Sequence, residues 1–99
     1  MLLDKFDILN KPFRIESTTH AYDRMKERDI EQKKVVAVIR ELRFKVLLYN
    51  NTGEEIAIID KENDMAIIIE IRLNKVVIIT VIDRANIHIK DGTRLEEIA

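Results

Sequence analysis

An α+β domain is the fold class this sequence predicts, with two N-terminal helices packed on one face of a four- or five-stranded antiparallel sheet. Three observations lead there. Between residues 17 and 43 the apolar residues recur at helical spacing, starting from a hydroxyl cluster. From residue 44 to 83 the period changes to two. The segments in that second part are joined by connections too short for crossover helices, which implies hairpins.

The elements follow in order. Leu2, Leu3, Phe6 and Leu9 stand at roughly helical spacing before Asn10-Lys11-Pro12, so residues 1–12 read as an amphipathic helix or arm that Pro12 stops. Phe13-Arg14-Ile15 alternates as a brief strand. Ser17, Thr18 or Thr19 can cap a helix running towards Ile30, with Ala21 and Met25 as its inward stripe. Residues 31–43 form a second helix through Val35, Val38, Ile39 and Leu42, and Asp29 with Gln32 resembles a capping box. Strands are expected at Phe44–Tyr49, Glu55–Asp60, Ala66–Leu73 and Val76–Asp83, with turns at 50–53, 61–64 and 74–75. Val76–Asp83 is apolar on both parities except at Thr80, the pattern of a central strand. Ile67, Ile69 and Ile71 should face the helices, with Glu70 and Arg72 facing away. Asn86–Lys90 alternates once more, Asp91-Gly92 turns the chain, and Thr93 with Glu96 can cap a last turn over residues 95–98. The chain thus reads as one domain over residues 1–99: an arm (1–12), a core of helices and meander (13–83), and a C-terminal strand and tail (84–99).

Composition narrows the function classes. Of 99 residues, 46% are hydrophobic but only 5% aromatic, which implies an aliphatic core. Charged residues make up 35% with a formal net charge of -1, so indiscriminate nucleic-acid binding is disfavoured while a local basic patch is not. There is no cysteine, hence no disulfide, no thiolate nucleophile and no cysteine-type zinc site, and two histidines alone make a weak case for a metal. No cofactor is expected. Met1-Leu2-Leu3-Asp4 lacks an apolar signal core, and no apolar run approaches the roughly 20 residues of a membrane span, so a cytoplasmic protein without a membrane partner is expected.

One stretch looks like chemistry. His20, Arg24 and Arg28 recur at every fourth position and share one helix face, drifting by only about 80°. An imidazole titrates near neutrality, and a guanidinium presents a fork of donors to phosphate oxygens. Metal-free RNA cleavage needs a base, an acid and cations at the scissile phosphate. His20 and His88 are the two imidazoles, Arg24, Arg28 and Arg84 the candidate clamps, and Thr80 a hydroxyl able to meet a substrate. Each has a bland reading too. His20 can be a core histidine bonded across to a strand, and Arg24 and Arg28 can be solvated or paired with Asp23, Glu27 or Glu70. Thr80 can be present for its β-propensity, and His88 can be an exposed strand residue.

The spacing His20-Ala21, Arg24-Met25, Arg28-Asp29-Ile30 and Val35, with Gly53 and Thr80-Val81 later, resembles the signature of a small bacterial and phage family, domain of unknown function 4258, over residues 13–82. More distantly it is similar to RelE/ParE-like toxins of the barnase–colicin–RelE ribonuclease fold group. The resemblance implies two helices on an antiparallel sheet, with the opposite sheet face or cleft meeting RNA. Two positions depart from the pattern: Asp29 stands where the family has Gly, and Glu31 where it often has Ser. Where RelE-like ribonucleases are strongly basic, this chain is slightly acidic. The expected function is that of a toxin-like RNA-binding protein, in its stronger form a metal-independent ribonuclease. The alternative is a non-catalytic RelE-like module that binds a protein, such as a phage or mobile-element protein acting on a host factor, or a homodimeric regulator. The apolar content of both strand parities points to a protein partner or a homodimer through an apolar sheet face.

Overall fold

The computed structural model describes residues 1–42, 45–50, 52–83 and 94–98. They form β1 (Leu2–Ile8), β2 (Lys11–Ser17), α1 (Thr19–Glu27), α2 (Gln32–Glu41), α3 (Lys45–Leu48), β3 (Glu55–Asp60), β4 (Met65–Arg72), β5 (Lys75–Asp83) and β6 (Arg94–Ile98). The α+β class holds, but the sheet is mixed and six-stranded, in the order β1-β2-β5-β4-β3-β6. The pairs β1·β2, β3·β4 and β4·β5 are antiparallel, whereas β2·β5 and β3·β6 are parallel. The expectation of a purely antiparallel sheet fails because two strand pairings join segments far apart in sequence, which local connection lengths cannot reveal.

The expected N-terminal arm is instead a hairpin. Leu9 (φ 49°) and Asn10 (φ 66°) both take left-handed geometry, the backbone of a type I′ two-residue turn whose twist suits a hairpin. Phe6 then lies opposite Phe13, with ring centroids 6.1 Å apart. The helical spacing of Leu2, Leu3, Phe6 and Leu9 competed with a period-two pattern, and Phe13 and Ile15 supplied the partner strand that decided it. Lys45–Leu48, expected as part of a strand, is a single helical turn that buries Val46 and exposes Leu48. The last turn expected at residues 95–98 is strand β6. The expectations at Arg43, Phe44, Asn51, the strand Asn86–Lys90, the turn at Asp91-Gly92 and Thr93 lie outside the described residues, as do Arg84 and His88.

Other expectations stand. Thr18 is the N-cap of α1, its Oγ1 accepting the Ala21 amide at 3.1 Å. The end of α1 is a Schellman motif: the Ile30 amide donates to the Met25 carbonyl (2.8 Å) and the Asp29 amide to that of Lys26 (3.3 Å), with Asp29 at φ 54°. Asp29 therefore bends the chain between the helices. It does not cap α2, whose N-cap Glu31 makes no side-chain cap bond. Ile67, Ile69 and Ile71 are fully buried in one cluster with Ala21 and Met25 of α1, Val35, Val38 and Ile39 of α2, and Val46 of α3. All three helices thus cover the same face of the sheet, and β5 is central, as its two-sided apolar pattern implies.

One irregularity reorders β5. Ile68 lies opposite Thr80 but Ile69 opposite Ile78, so Ile79 is an inserted residue, a β-bulge. The bulge is tied to the start of α1. The Thr18 amide donates to the Ile78 carbonyl (3.0 Å), and Thr18 Oγ1 donates to the Ile79 carbonyl (3.1 Å). Before the bulge Val76 and Ile78 face the helices; after it Val81 does.

Candidate functional site

The α1 ridge is set by the cap at Thr18 and by the burial of Ala21 and Met25, which turns the flanking positions outward. His20 and Arg28 are exposed and Arg24 is half-buried beside them. Among the described residues no hydrogen bond or ion pair occupies the side chains of His20 and Arg24. His20 is therefore not a core histidine bonded across to a strand. Next to the ridge, Lys26 Nζ lies 4.6 Å from the centroid of the Tyr22 ring, a cation–π contact.

The bulge decides where Thr80 goes. In an unbroken strand it would share the parity of Val76 and Ile78 and point at the helices. With Ile79 inserted it pairs with Ile68 and lies on the face away from the described helices, half-buried. His20 and Arg24 therefore stand on α1 with Arg28 at its C-cap, and Thr80 is separated from them by the thickness of the sheet.

That second face carries a feature the sequence reading missed. Lys5 lies opposite Arg14, Arg14 opposite Lys75, and Lys75 opposite Arg72, so four cations stand in one row across β1, β2, β5 and β4. With strands about 4.8 Å apart the row runs about 14 Å. The next row, Glu16, Val77, Glu70 and Glu55, is acidic. Arg14 bonds Glu16 at 3.1 Å, Arg72 bonds Glu70 at 3.2 Å, and Lys75 reaches Glu16 at 4.0 Å. The hydrogen bonds that Arg72 donates to Glu70, and then the Glu70 charge, raise the Arg72 pKa above the ordinary arginine value. Like charges directly opposite one another destabilise a sheet, a cost that these carboxylates offset at Arg14, Lys75 and Arg72. Only Arg72 and Lys75, flanking the turn at Leu73-Asn74, are near neighbours in sequence. The β1·β2 hairpin sets Lys5 beside Arg14 and the parallel β2·β5 pairing joins the two halves, and no sequence signal announced that pairing.

The remainder of that face is apolar but not open. Ala57, Ala66, Ile68 and Val77 are buried, and Ile59, Ile79 and Ile82 are half-buried. Among the described residues the exposed large apolar side chains are Met1, Leu2, Leu9, Leu48 and Leu73, none of them in the centre of the sheet. No cluster of three or more His, Asp or Glu side chains arranged for a metal occurs among the described residues. No helix there is long and apolar enough to cross a membrane. No family model, curated protein or solved structure matches the chain.

Proposed function

We propose that this is a toxin-like RNA-binding protein in which the sheet face away from the described helices follows the phosphate backbone. The observation that carries the reading is the cross-strand row Lys5, Arg14, Lys75 and Arg72, a line of cations exposed except at half-buried Lys75 and bordered on one side by carboxylates that orient a polyanion along it. Cleavage is the stronger form of the proposal and rests on His20. Its imidazole is exposed beside Arg24 and Arg28, so one group can exchange a proton while guanidiniums hold a phosphate. Fluorescence anisotropy with a labelled single-stranded RNA tests the binding. Arg14→Glu and Lys75→Glu should each weaken it and flatten its salt dependence by about one cation's worth. Equal affinity in both variants would refute the reading. A gel assay of the same RNA in chelator tests the cleavage, which His20→Ala should abolish. A second reading, a non-catalytic protein-binding module, is favoured by the outer edge of β1, which no strand among the described residues pairs.

A further inference from the structure

We propose that β1 pairs antiparallel with β1 of a second copy, so that two sheets join edge to edge across a two-fold axis. β1 is the first strand in the sheet order, and among the described residues no strand pairs with its outer side. Which of its amides face outward follows from its neighbours. The Arg14 amide donates away from β1, to the Asn74 carbonyl (3.1 Å), so Arg14 and Lys5 do not exchange ladder bonds. Lys5 therefore directs its own N–H and C=O outward, and so does Asp7, two residues on and opposite Pro12. The Lys5 amide is held by the Asp4 side chain at 2.8 Å, while the other Asp4 oxygen meets Arg40 at 3.3 Å. Pairing would replace that carboxylate with a backbone acceptor and leave Asp4 to Arg40.

Charge then selects both the occupant and the register. Lys5 and Asp7 lie on the same side of the strand, and neither side chain has an ion-pair partner among the described residues. The outward groups allow three symmetric registers. Lys5 can face Lys5, Asp7 can face Asp7, or Lys5 of each copy can face Asp7 of the other. The first two set like charges directly opposite; the third makes two opposite-charge pairs and puts Phe6 across from Phe6. In that register Leu9 of one copy approaches Leu3 and Leu2 of the other. Met1, Leu2 and Leu9, three of the exposed large apolar side chains, all belong to this hairpin. Beside the edge, a groove of about 430 Å³ lined by Leu3, Val36, Ala37 and Arg40 lies between β1 and α2, and the two-fold brings the two grooves face to face. A strand with both signs of charge in this spacing is complementary to itself.

Sedimentation of the full chain from micromolar to hundreds of micromolar tests the proposal. A dimer is expected. Lys5→Asp and Asp7→Lys should each weaken it about tenfold or more, and the double reversal should restore it, because opposite charges again face across the axis. Circular dichroism checks that each variant folds. A second measurement does not depend on affinity: the chain has no cysteine, and residues in a ladder-bonded pair lie within disulfide reach. A mixture of Lys5→Cys and Asp7→Cys proteins should cross-link under mild oxidation as the heterologous pair, with neither protein cross-linking efficiently alone. A monomer at every concentration would overturn the proposal. A dimer indifferent to the single reversals would overturn it too, as would preferential cross-linking of either single-cysteine variant with itself.

Discussion

Thr18 holds two parts of the molecule at once, and replacing it with alanine shows what that is worth. Its hydroxyl accepts the Ala21 amide at the start of α1 and donates to the Ile79 carbonyl at the bulge of β5. Loss of an N-cap costs about 1 kcal/mol. Loss of one further part-buried hydrogen bond costs about 1 kcal/mol more. The sum of about 2 kcal/mol corresponds to a fall in Tm of about 8–16 °C for a domain of this size. Thr18→Ser keeps the hydroxyl and should stay within about 0.5 kcal/mol of the parent. Urea unfolding and a thermal scan on the three proteins make the comparison. If serine is as damaging as alanine, or alanine costs less than about 0.5 kcal/mol, the hydroxyl is not the link between helix and bulge.

Other substitutions separate the candidate chemistry from the core. His20→Ala and Arg24→Ala should change unfolding free energy by no more than about 0.5 kcal/mol, because neither side chain is bonded, while Met25→Asp places an unpaired charge in the core and should unfold the domain; circular dichroism distinguishes the two outcomes. Asp29→Gly should leave stability unchanged or raise it by up to about 1 kcal/mol, since Asp29 holds φ 54° at the position of a Schellman motif where glycine is unstrained, and a chemical melt reads the difference. Asp60→Ala should cost about 1–3 kcal/mol, because the buried Asp60 carboxylate accepts both the Asn63 amide (3.3 Å) and the Asn63 Nδ2 (2.7 Å) at the β3–β4 turn. Denaturant unfolding checks it.

Much of this was legible in the order of residues. Ala21 and Met25 at helical spacing behind a threonine cap, and Ile67, Ile69 and Ile71 on one strand parity, found their places because side-chain direction along a regular element follows from its period alone. The ridge of His20, Arg24 and Arg28 followed for the same reason. The sequence also determined that the core would be aliphatic and that β5 would be central. What it could not carry was any relation between segments distant along the chain. The N-terminal residues suited a helix until Phe13 and Ile15 offered them a partner, and the four-cation row exists only because β2 runs parallel to β5. Thr80 is the sharpest instance. In an unbroken strand it would share the helix side with Val76 and Ile78, and the one-residue bulge at Ile79, stapled by a hydroxyl more than sixty residues away in sequence, turned it to the other face. Strand pairing and bulges are contacts across space, and only the folded chain decides them.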